Sequence, residues 1–276
     1  MPITVIELYR DVLPKTNCGD CGQPACFAFA TRVIVEKEPL GRCPHIESGL
    51  RARYETRLAE QQSGGTSVKK DVASDAREWA RERGASMKFE DLPGRIGGRL
   101  IETDGGTALE LPYFTGAIVV TRDTVRKKTG EELGHYQQVF IFNHIAMGGN
   151  AVPTGKWVSL KEVPHSGPKL RSMKAHVEDH LVRRFSGKLE ELAAEAAAIG
   201  GEPVSDYENS ADSAFLFRPL PRVPVMLLFW DGDPVDGFDA EARFLFDDTI
   251  NQHLDIESIM FLCELIRELL CGEEEK

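Results

Sequence analysis

Four cysteines near the beginning of the chain have a spacing that is typical of a metal-binding site. They are Cys18, Cys21, Cys26 and Cys43, and they form the pattern C-x2-C-x4-C-x16-C-P. Four thiolates can hold a tetrahedral zinc ion or an iron–sulfur cube. A structural zinc site usually combines two paired cysteine knuckles, and Cys43 has no neighbouring cysteine that would complete the second one. The spacing therefore favours one [4Fe–4S] cluster over zinc, with these cysteines as ligands of its iron.

The segments around these cysteines are suited to holding a cluster. Gly19 and Gly22 permit backbone angles that other residues avoid, so N–H groups of this loop can approach the sulfides. Pro24 is suited to the first position of a helix predicted over 24–37, because its missing N–H is not needed there. Cys26 then lies in the first helical turn, where the helix dipole favours a thiolate and an anionic cluster.

The fourth cysteine has to be reached by a tight return of the chain. The predicted helix rises about 16 Å between Cys26 and Lys37, at about 1.5 Å per residue. The six steps that follow span about 20 Å when extended, which is just enough to bring Cys43 back to the other three cysteines. Pro39 and Gly41 are suitable residues for the turn that this return requires.

The composition indicates a soluble protein of the cytoplasm. Of the 276 residues, 42% are hydrophobic and 28% are charged, and the longest apolar run is far too short to cross a bilayer. The N-terminus lacks the basic stretch and apolar core of a secretory signal. The net charge of −11 has the wrong sign for a general binder of nucleic acids or anionic membranes. We therefore expect neither a nucleic-acid partner nor a membrane span.

The chain is predicted to contain two domains of different electrostatic character. Residues 1–62 form a small helical domain with eight basic and eight acidic side chains, so the net negative charge of the chain comes from the rest. A polar linker over 63–70 precedes a larger domain over 71–276. In that domain strand pairs come early and helices do not alternate regularly with strands, which favours an α+β fold over a doubly wound sheet. Its predicted strands cover 98–103, 108–112, 116–121, 157–163, 223–230 and 243–246, and its predicted helices 71–83, 131–147, 169–185, 187–199 and 255–270.

Several other groups could bind a metal, and each has a simpler structural interpretation. His176 and His180 have the one-turn spacing of a helical metal pair, but the charged residues between them indicate a solvated face. Cys263 lies on the apolar face of the last predicted helix, where a free cysteine packs as a small hydrophobe. An acidic loop lacks the spacing of a calcium-binding loop; its members are Asp231, Asp233, Asp236 and Asp239. Two histidines on a predicted helix, His135 and His144, could ligate haem or cobalt, but buried core or capping histidines are more common.

The first domain resembles a family of small cluster domains. The residues that carry the resemblance are L-P-K-T-N-C-G-D-C-G-Q-P-A-C over 13–26, F-A-F-A over 27–30 and R-C-P over 42–44. They are similar to the N-terminal [4Fe–4S] domain of the corrinoid iron–sulfur protein large subunit of acetyl-CoA synthesis, and to a domain in the B subunit of the Rnf electron-transport complex. The resemblance covers 3–60 and implies a low-potential cluster that carries one electron. In the corrinoid protein that cluster reductively reactivates the cobalt cofactor.

The second domain resembles the domain of unknown function 3786, which often follows this cluster domain in anaerobic bacteria and archaea. The residues that carry the resemblance are G-K-W-V-S over 155–159, L-P-R-V-P-V over 220–225, W-D-G-D over 230–233 and F-L-F-D over 244–247. It covers 75–270 and names no reaction. The second domain has neither the D-x-H-x-x-G pattern of cobalt-ligating domains nor the ferredoxin-like cysteine clusters of the Rnf subunit.

Together these features predict a non-catalytic electron-transfer module of anaerobic metabolism rather than an enzyme. Its cluster would accept an electron from a ferredoxin-like donor and pass it to a partner protein, with a corrinoid protein as one candidate, or to a cofactor. One alternative is that the second domain binds a corrinoid or another tetrapyrrole, which the cluster reduces. Another alternative is a redox sensor, in which loss of the cluster changes a surface that binds a partner.

Overall fold

Helices build the first of the two units into which the chain divides, Met1–Trp79 and Ala80–Lys276. The structure is a computed structural model, and it describes residues 3–16, 18–23, 25–63, 69–205, 211–232 and 237–272. In the first unit, α1 (Val5–Glu7) continues into a π-helical turn (Leu8–Val12), and α2 (Cys26–Val35) leads to a 3-10 turn (Leu40–Arg42) and α3 (Ser48–Ser63). The helix α4 (Lys69–Ala85) follows. The predicted linker over 63–70 stays a prediction, since 64–68 lie outside the described residues.

The first unit has a hydrophobic core of its own, which α2 contributes to with one face. Phe29, Ala30 and Val33 are almost completely buried on that face, and Leu8 and Leu40 pack into the same cluster. Polar contacts tie the end of α3 to the beginning of the chain. The Ile3 N–H donates to Oε1 of Gln61 over 2.6 Å, and the Gln61 amide donates back to the Ile3 carbonyl over 3.1 Å. Helix α3 thereby closes the unit around the core.

The larger unit begins with a small antiparallel sheet. A 3-10 turn (Phe89–Asp91) and α5 (Leu92–Ile96) lead into its four strands, which pair in the order β1-β2-β3-β4. The strands are β1 (Arg99–Thr103), β2 (Gly106–Tyr113), β3 (Gly116–Val120) and β4 (Val125–Lys127). The turn between β1 and β2 pairs Thr103 with Gly106, so the first two predicted strands form a hairpin.

A second antiparallel sheet forms the centre of the larger unit. Its strands pair in the order β5-β9-β8-β7-β6. They are β5 (Trp157–Ser159), β6 (Glu202–Pro203), β7 (Ser213–Leu220), β8 (Val223–Trp230) and β9 (Glu241–Asp247). Alternate residues of β8 face opposite sides of the sheet, and both sides are apolar, so nearly the whole strand is buried. The two sheets and the surrounding helices confirm the predicted α+β fold.

Helices of the larger unit supply most of its remaining core. They are α6 (His135–Met147), α7 (Leu170–Met173), α8 (Asp179–Phe185), α9 (Leu189–Ala198), α10 (Ile250–His253) and α11 (Ile256–Cys271). A π-helical turn (Lys174–Glu178) joins α7 to α8. Helix α11 begins at its N-cap Asp255, whose carboxylate accepts from the Ser258 N–H over 2.8 Å. Within the described residues, every helix is too short or too polar to cross a membrane.

Two predicted elements have an end that lies four residues from the observed one, and each has an identifiable reason. The strand expected over 157–163 ends at Ser159, because Ser159 and Glu162 form a capping box that starts a 3-10 turn (Leu160–Glu162). The helix expected over 131–147 begins only at His135, since Glu132 instead forms a β-bridge with Arg126. Both differences arise at element ends, where a local side-chain or bridging contact competes with the periodic pattern.

A buried carboxylate fixes the loop before β5 to the end of β9. Asp247 is almost fully buried, and it accepts hydrogen bonds from the N–H groups of Thr154 and Gly155 over 3.2 and 2.7 Å. It also accepts from the N–H and the hydroxyl of Thr249 over 3.1 and 2.7 Å. Burial opposes its ionisation, but these hydrogen bonds outweigh that effect and hold the Asp247 pKa below its usual value.

Replacing Gly149 with alanine is expected to destabilise the larger unit by about 2 kcal/mol. A Cβ atom at this position would lie 2.7 Å from the carbonyl carbon of Gln252, so the backbone between α6 and α10 would have to shift. Urea unfolding followed by tryptophan fluorescence measures the loss. Gly167→Ala is the matched control, since a Cβ there meets no atom within 4 Å. Equal losses in the two variants would contradict the expectation.

Candidate functional site

The four cysteines of the first unit come together at the edge of its hydrophobic core. Cys21, Cys26 and Cys43 are buried, with 8%, 6% and 3% of their surface exposed, and they belong to the same apolar cluster. Cys18 is exposed. The quartet therefore has a buried side formed by three thiols and an open side at the fourth.

A tight turn shapes the loop that carries the first two cysteines. Gly19 and Gly22 both have a φ of +82°, a region that residues with a Cβ avoid. The Gly22 N–H donates to the Gly19 carbonyl over 2.7 Å, which closes the turn around Cys21. A side chain at Gly22 would also approach the guanidinium of Arg42, at 3.5 Å from the Cβ. The two glycines thus have the conformational role that the sequence indicated.

The third cysteine occupies the first position of α2. The N-cap is Ala25, which is extended and has no side-chain acceptor for the N–H groups of the first turn. Such N–H groups can donate to an anion bound there, and the helix dipole adds a positive partial charge. The helix begins two residues later than predicted, and Pro24 itself lies outside the described residues. Cys26 is closer to the positive end of the helix as a result.

The fourth cysteine follows the 3-10 turn that reverses the chain after α2. Pro39 is the N-cap of this turn, and the Cys43 N–H donates to the Leu40 carbonyl over 3.1 Å. Burial raises the pKa of the Cys43 thiol, a hydrogen bond with the His45 backbone opposes that shift, and charges on the other three cysteines raise the pKa further. The four cysteines are therefore close enough to influence one another electrostatically.

Two polar side chains at the exposed cysteine were missed by the sequence analysis. Nε2 of His45 lies 2.6 Å from Oδ2 of Asp20, and the Cys18 thiol donates to the same carboxylate. The donor atoms of Cys18, Asp20 and His45 all lie within 4.8 Å of one another. The hydrogen bond to His45, followed by that to Cys18, holds the Asp20 pKa below its usual value. His45 follows Cys43 by two residues, which was the only signal in the sequence that it could lie here.

The donor chemistry of this quartet fits an iron–sulfur cube. A cube takes four thiolates, and the described residues provide four cysteines at one place, in no disulfide. The apolar cluster around three of them excludes water, while turn and helix N–H groups supply hydrogen-bond donors for sulfide. Bound there, such a cluster would accept and release single electrons, and the exposed side at Cys18 would be its nearest contact with a partner.

In the cluster-free chain, Cys18 is expected to react with iodoacetamide at least about ten times faster than Cys21, Cys26 or Cys43, because alkylation requires access to the thiolate. Metal is removed anaerobically with a chelator and reductant, and labelled peptides are quantified by mass spectrometry over time. The fully buried Cys263 is the internal control for a thiol without access. Equal rates at Cys18 and Cys43 would contradict the exposure difference.

The other candidate groups do not form comparable sites in the described residues. His176 is exposed and lies within the π-helical turn, His180 is half-buried in α8, and no third ligand joins them among these residues. Cys263 is fully buried in the core, as predicted, and burial raises its pKa well above the usual value. Of the acidic loop, Asp231 accepts from the Gly187 N–H over 2.8 Å, whereas the predicted members Asp233 and Asp236 lie outside the described residues.

The chain matches two family models over separate segments. Residues 88–268 match the family described as "Domain of unknown function (DUF3786)", which is more than half of the chain. Residues 13–45 match the family described as "Putative Fe-S cluster", and this segment contains all four cysteines of the quartet. No solved structure gives a significant match to the chain.

Curated relatives are similar to the N-terminal part alone. The gamma subunit of the acetyl-CoA decarbonylase/synthase complex of Methanothermobacter thermautotrophicus is 42% identical over 59 residues, which is 21% of this chain and 13% of that protein. The corrinoid/iron-sulfur protein large subunit of Moorella thermoacetica is 41% identical over 59 residues, with the same shares of each chain. The matched region is thus a small part of each relative's own length.

Proposed function

The chain belongs to the family of the domain of unknown function DUF3786, and from this membership and its N-terminal iron–sulfur segment we propose that it is an electron-transfer protein of anaerobic metabolism. Its first unit holds one low-potential [4Fe–4S] cluster through Cys18, Cys21, Cys26 and Cys43, and passes single electrons to a partner. The observation that carries the proposal is the convergence of four thiols, three buried and one exposed, within the matched segment. The reducing cytoplasm, where thiols stay free, is the expected compartment.

The exposed side of the quartet is the proposed route for the electron. Cys18 is the exposed thiol, and Phe27, next to Cys26, has 48% of its side chain in solvent. The ring of Phe27 packs edge-on against Tyr9 with centroids 5.5 Å apart, so it is held in place rather than freely rotating. A fixed, exposed aromatic ring beside a cluster ligand is suited to a short-lived docking contact.

The names of the relatives suggest the class of partner. One is a subunit of an acetyl-CoA decarbonylase/synthase complex, and the other is the large subunit of a corrinoid/iron-sulfur protein. We propose a ferredoxin-like protein as the electron donor and a corrinoid protein as a candidate acceptor. The similarity to these two relatives covers only the N-terminal segment of this chain.

Anaerobic purification tests the proposal directly. The protein is expected to be brown, to contain about four iron atoms and about four sulfides per chain, and to lose its broad visible absorption when a reduced ferredoxin is added. The appearance of a paramagnetic signal on reduction would identify a one-electron step. A colourless protein that contains zinc would overturn the proposal, as would a cluster that a low-potential donor does not reduce.

The two alternatives predict different results. If the larger unit binds a corrinoid or another tetrapyrrole, titration of the protein with such a cofactor should shift the cofactor spectrum at micromolar concentrations. His144, one of the two histidines considered as ligands, is fully buried in α6, so a tetrapyrrole could reach its ring only if the surrounding core opened. If the chain is a redox sensor, its affinity for a partner should change when the cluster is removed, whether or not electrons flow.

A further inference from the structure

The larger unit contains a cavity of about 680 Å³ that the proposed electron-transfer function does not use. It lies between the turn that joins β2 to β3, the segment 127–129 at the end of β4, and the C-terminal parts of α9 and α11. Binding sites for small molecules have volumes of about 300–1,000 Å³, with mostly apolar walls and a few polar groups. The cavity is in this range.

One wall is apolar and is formed by the two helices. Ala198 and Ile199 come from the end of α9, and Leu265 and Leu269 come from successive turns of α11. Leu265 is buried, whereas Leu269 has 37% of its side chain exposed at this surface. Covering the exposed part of such a leucine with an apolar group of a ligand stabilises the complex by about 25 cal/mol per Å² of buried apolar surface.

Another part of the lining is polar, and its charged members are Lys127 and Lys128. Nζ of Lys128 lies 3.1 Å from Oε2 of Glu110, but Glu110 is also held by Arg99 over 2.8 Å. These two cations, Arg99 first, hold the Glu110 pKa below its usual value. Lys127 pairs with Glu131 over 2.8 Å at the exposed edge. Arg99, Lys127 and Lys128 thus share two carboxylates. One positive charge is left for the anionic group of a ligand.

The third wall is a hairpin turn with an unusual backbone. Phe114 has a φ of +48°, a left-handed conformation that costs a bulky residue about 1–2 kcal/mol. Its N–H donates to the Pro219 carbonyl over 3.2 Å, and its ring packs edge-on against Tyr113 with centroids 5.0 Å apart. The Tyr113 hydroxyl in turn donates to Oε1 of Gln137 over 3.0 Å. Strain that is held by several contacts in this way is typical of ligand-binding sites.

We propose that this cavity binds a small amphiphilic anion. The apolar body of the ligand lies against α9 and α11 and covers Leu269, and its carboxylate or phosphate group lies at Lys127 and Lys128. The same cavity is lined by the apolar side chains of the two helices and by the two lysines, so a ligand with one charged end and one apolar end satisfies both. The proposal is independent of the cluster, because every residue that carries it belongs to the larger unit.

Calorimetric titration of the full, cluster-containing chain with decanoate below its micelle concentration tests the proposal. Saturable one-to-one binding is expected, with decanol, which has the same chain without the charge, at least about tenfold weaker. Acetate, which has the charge without the chain, should give no detectable binding. A flat decanoate titration, or equal binding of decanoate and decanol, would overturn the proposal. Binding only when decanoate is presented in anionic vesicles would also overturn it, since that result identifies a membrane surface.

Two variants place the ligand in the cavity. Leu269→Asp removes the apolar contact and adds a repelling charge, and it should weaken decanoate at least about tenfold. Leu170→Asp is the matched control, because Leu170 is also an exposed leucine, at 40%, and does not line this cavity. The double variant Lys127→Gln and Lys128→Gln should weaken decanoate but leave decanol unchanged. Equal effects of the two leucine variants, or equal effects of the lysine variant on both ligands, would contradict the proposed orientation.

Discussion

Replacing Cys26 with serine is expected to leave the protein without the proposed cluster. Cys26 is buried, it lies at the first position of α2, and a cube that loses one of its four thiolates at a buried position has no exchangeable replacement ligand nearby. Because bound metal stabilises the fold that binds it, the first unit should also unfold at a lower denaturant concentration. Iron content and visible absorption of the anaerobically purified variant measure the loss, and iron should fall below about one atom per chain, from about four.

The matched control for this variant is Cys271→Ser. Cys271 lies at the end of α11 in the larger unit, it is a cysteine that is half-buried, and it is outside the matched iron–sulfur segment. Its substitution should leave iron content and absorption unchanged. A Cys26→Ser protein that retained a full complement of iron would sink the assignment of this residue as a ligand, and with it the proposed quartet.

Acid is expected to destabilise the larger unit by about 3 kcal/mol between pH 6.5 and pH 4 through His144 alone. Burial lowers the pKa of this histidine from 6.5 to about 4, against the opposing effect of its hydrogen bond to the His253 carbonyl. The carbonyl accepts, so Nδ1 of His144 carries the proton, and its buried Nε2 has no hydrogen-bond partner among the described residues. In this pH window the unfolded chain binds the extra proton and the folded chain does not, so stability falls as the pH falls.

Unfolding by urea at a series of pH values measures this effect, with the signal taken from tryptophan fluorescence. His144→Gln should reduce the pH dependence in the window and will also lower the stability at pH 7; His253, whose pKa burial also lowers, contributes with the same sign. His176→Gln is the control, since His176 is exposed. If the His144→Gln chain keeps the full pH dependence of the parent chain, another group is responsible.

The most strongly patterned elements of the larger unit were predictable from sequence. Strand β8 has the predicted bounds, because the apolar run over 225–230 is flanked by prolines on one side and by Asp231 and Gly232 on the other. Strand β7 was missed; its run S-A-F-L-F-R-P-L contains Pro219, which cannot donate a hydrogen bond to a neighbouring strand. The sheet accommodates this proline where the pairing of β7 with β8 shifts register between Phe217 and Leu220. Such a shift depends on the neighbouring strand and leaves no local signal.

The candidate site was predictable where it depends on spacing and not where it depends on folding. The type and spacing of the four cysteines predict a metal site, and the positions of the glycines between them predict a tight turn. The contact of Asp20 with His45 joins residues 25 positions apart, and it requires the return of the chain after α2. The left-handed backbone of Phe114 is equally hard to predict from the sequence, because a bulky side chain such as phenylalanine disfavours a positive φ.

The hydrogen bonds of Asp247 also constrain the timing of folding during synthesis. Its acceptor oxygens reach backbone donors that left the ribosome 92 and 93 residues earlier, and β5 finds its strand partner only in β9. The central sheet therefore closes only after β9 has been translated, as a long-range, slow event. The first unit, by contrast, is complete once α3 has been translated, because Gln61 of that helix pairs with Ile3. All the elements around the four cysteines are thus translated well before the central sheet of the larger unit can close.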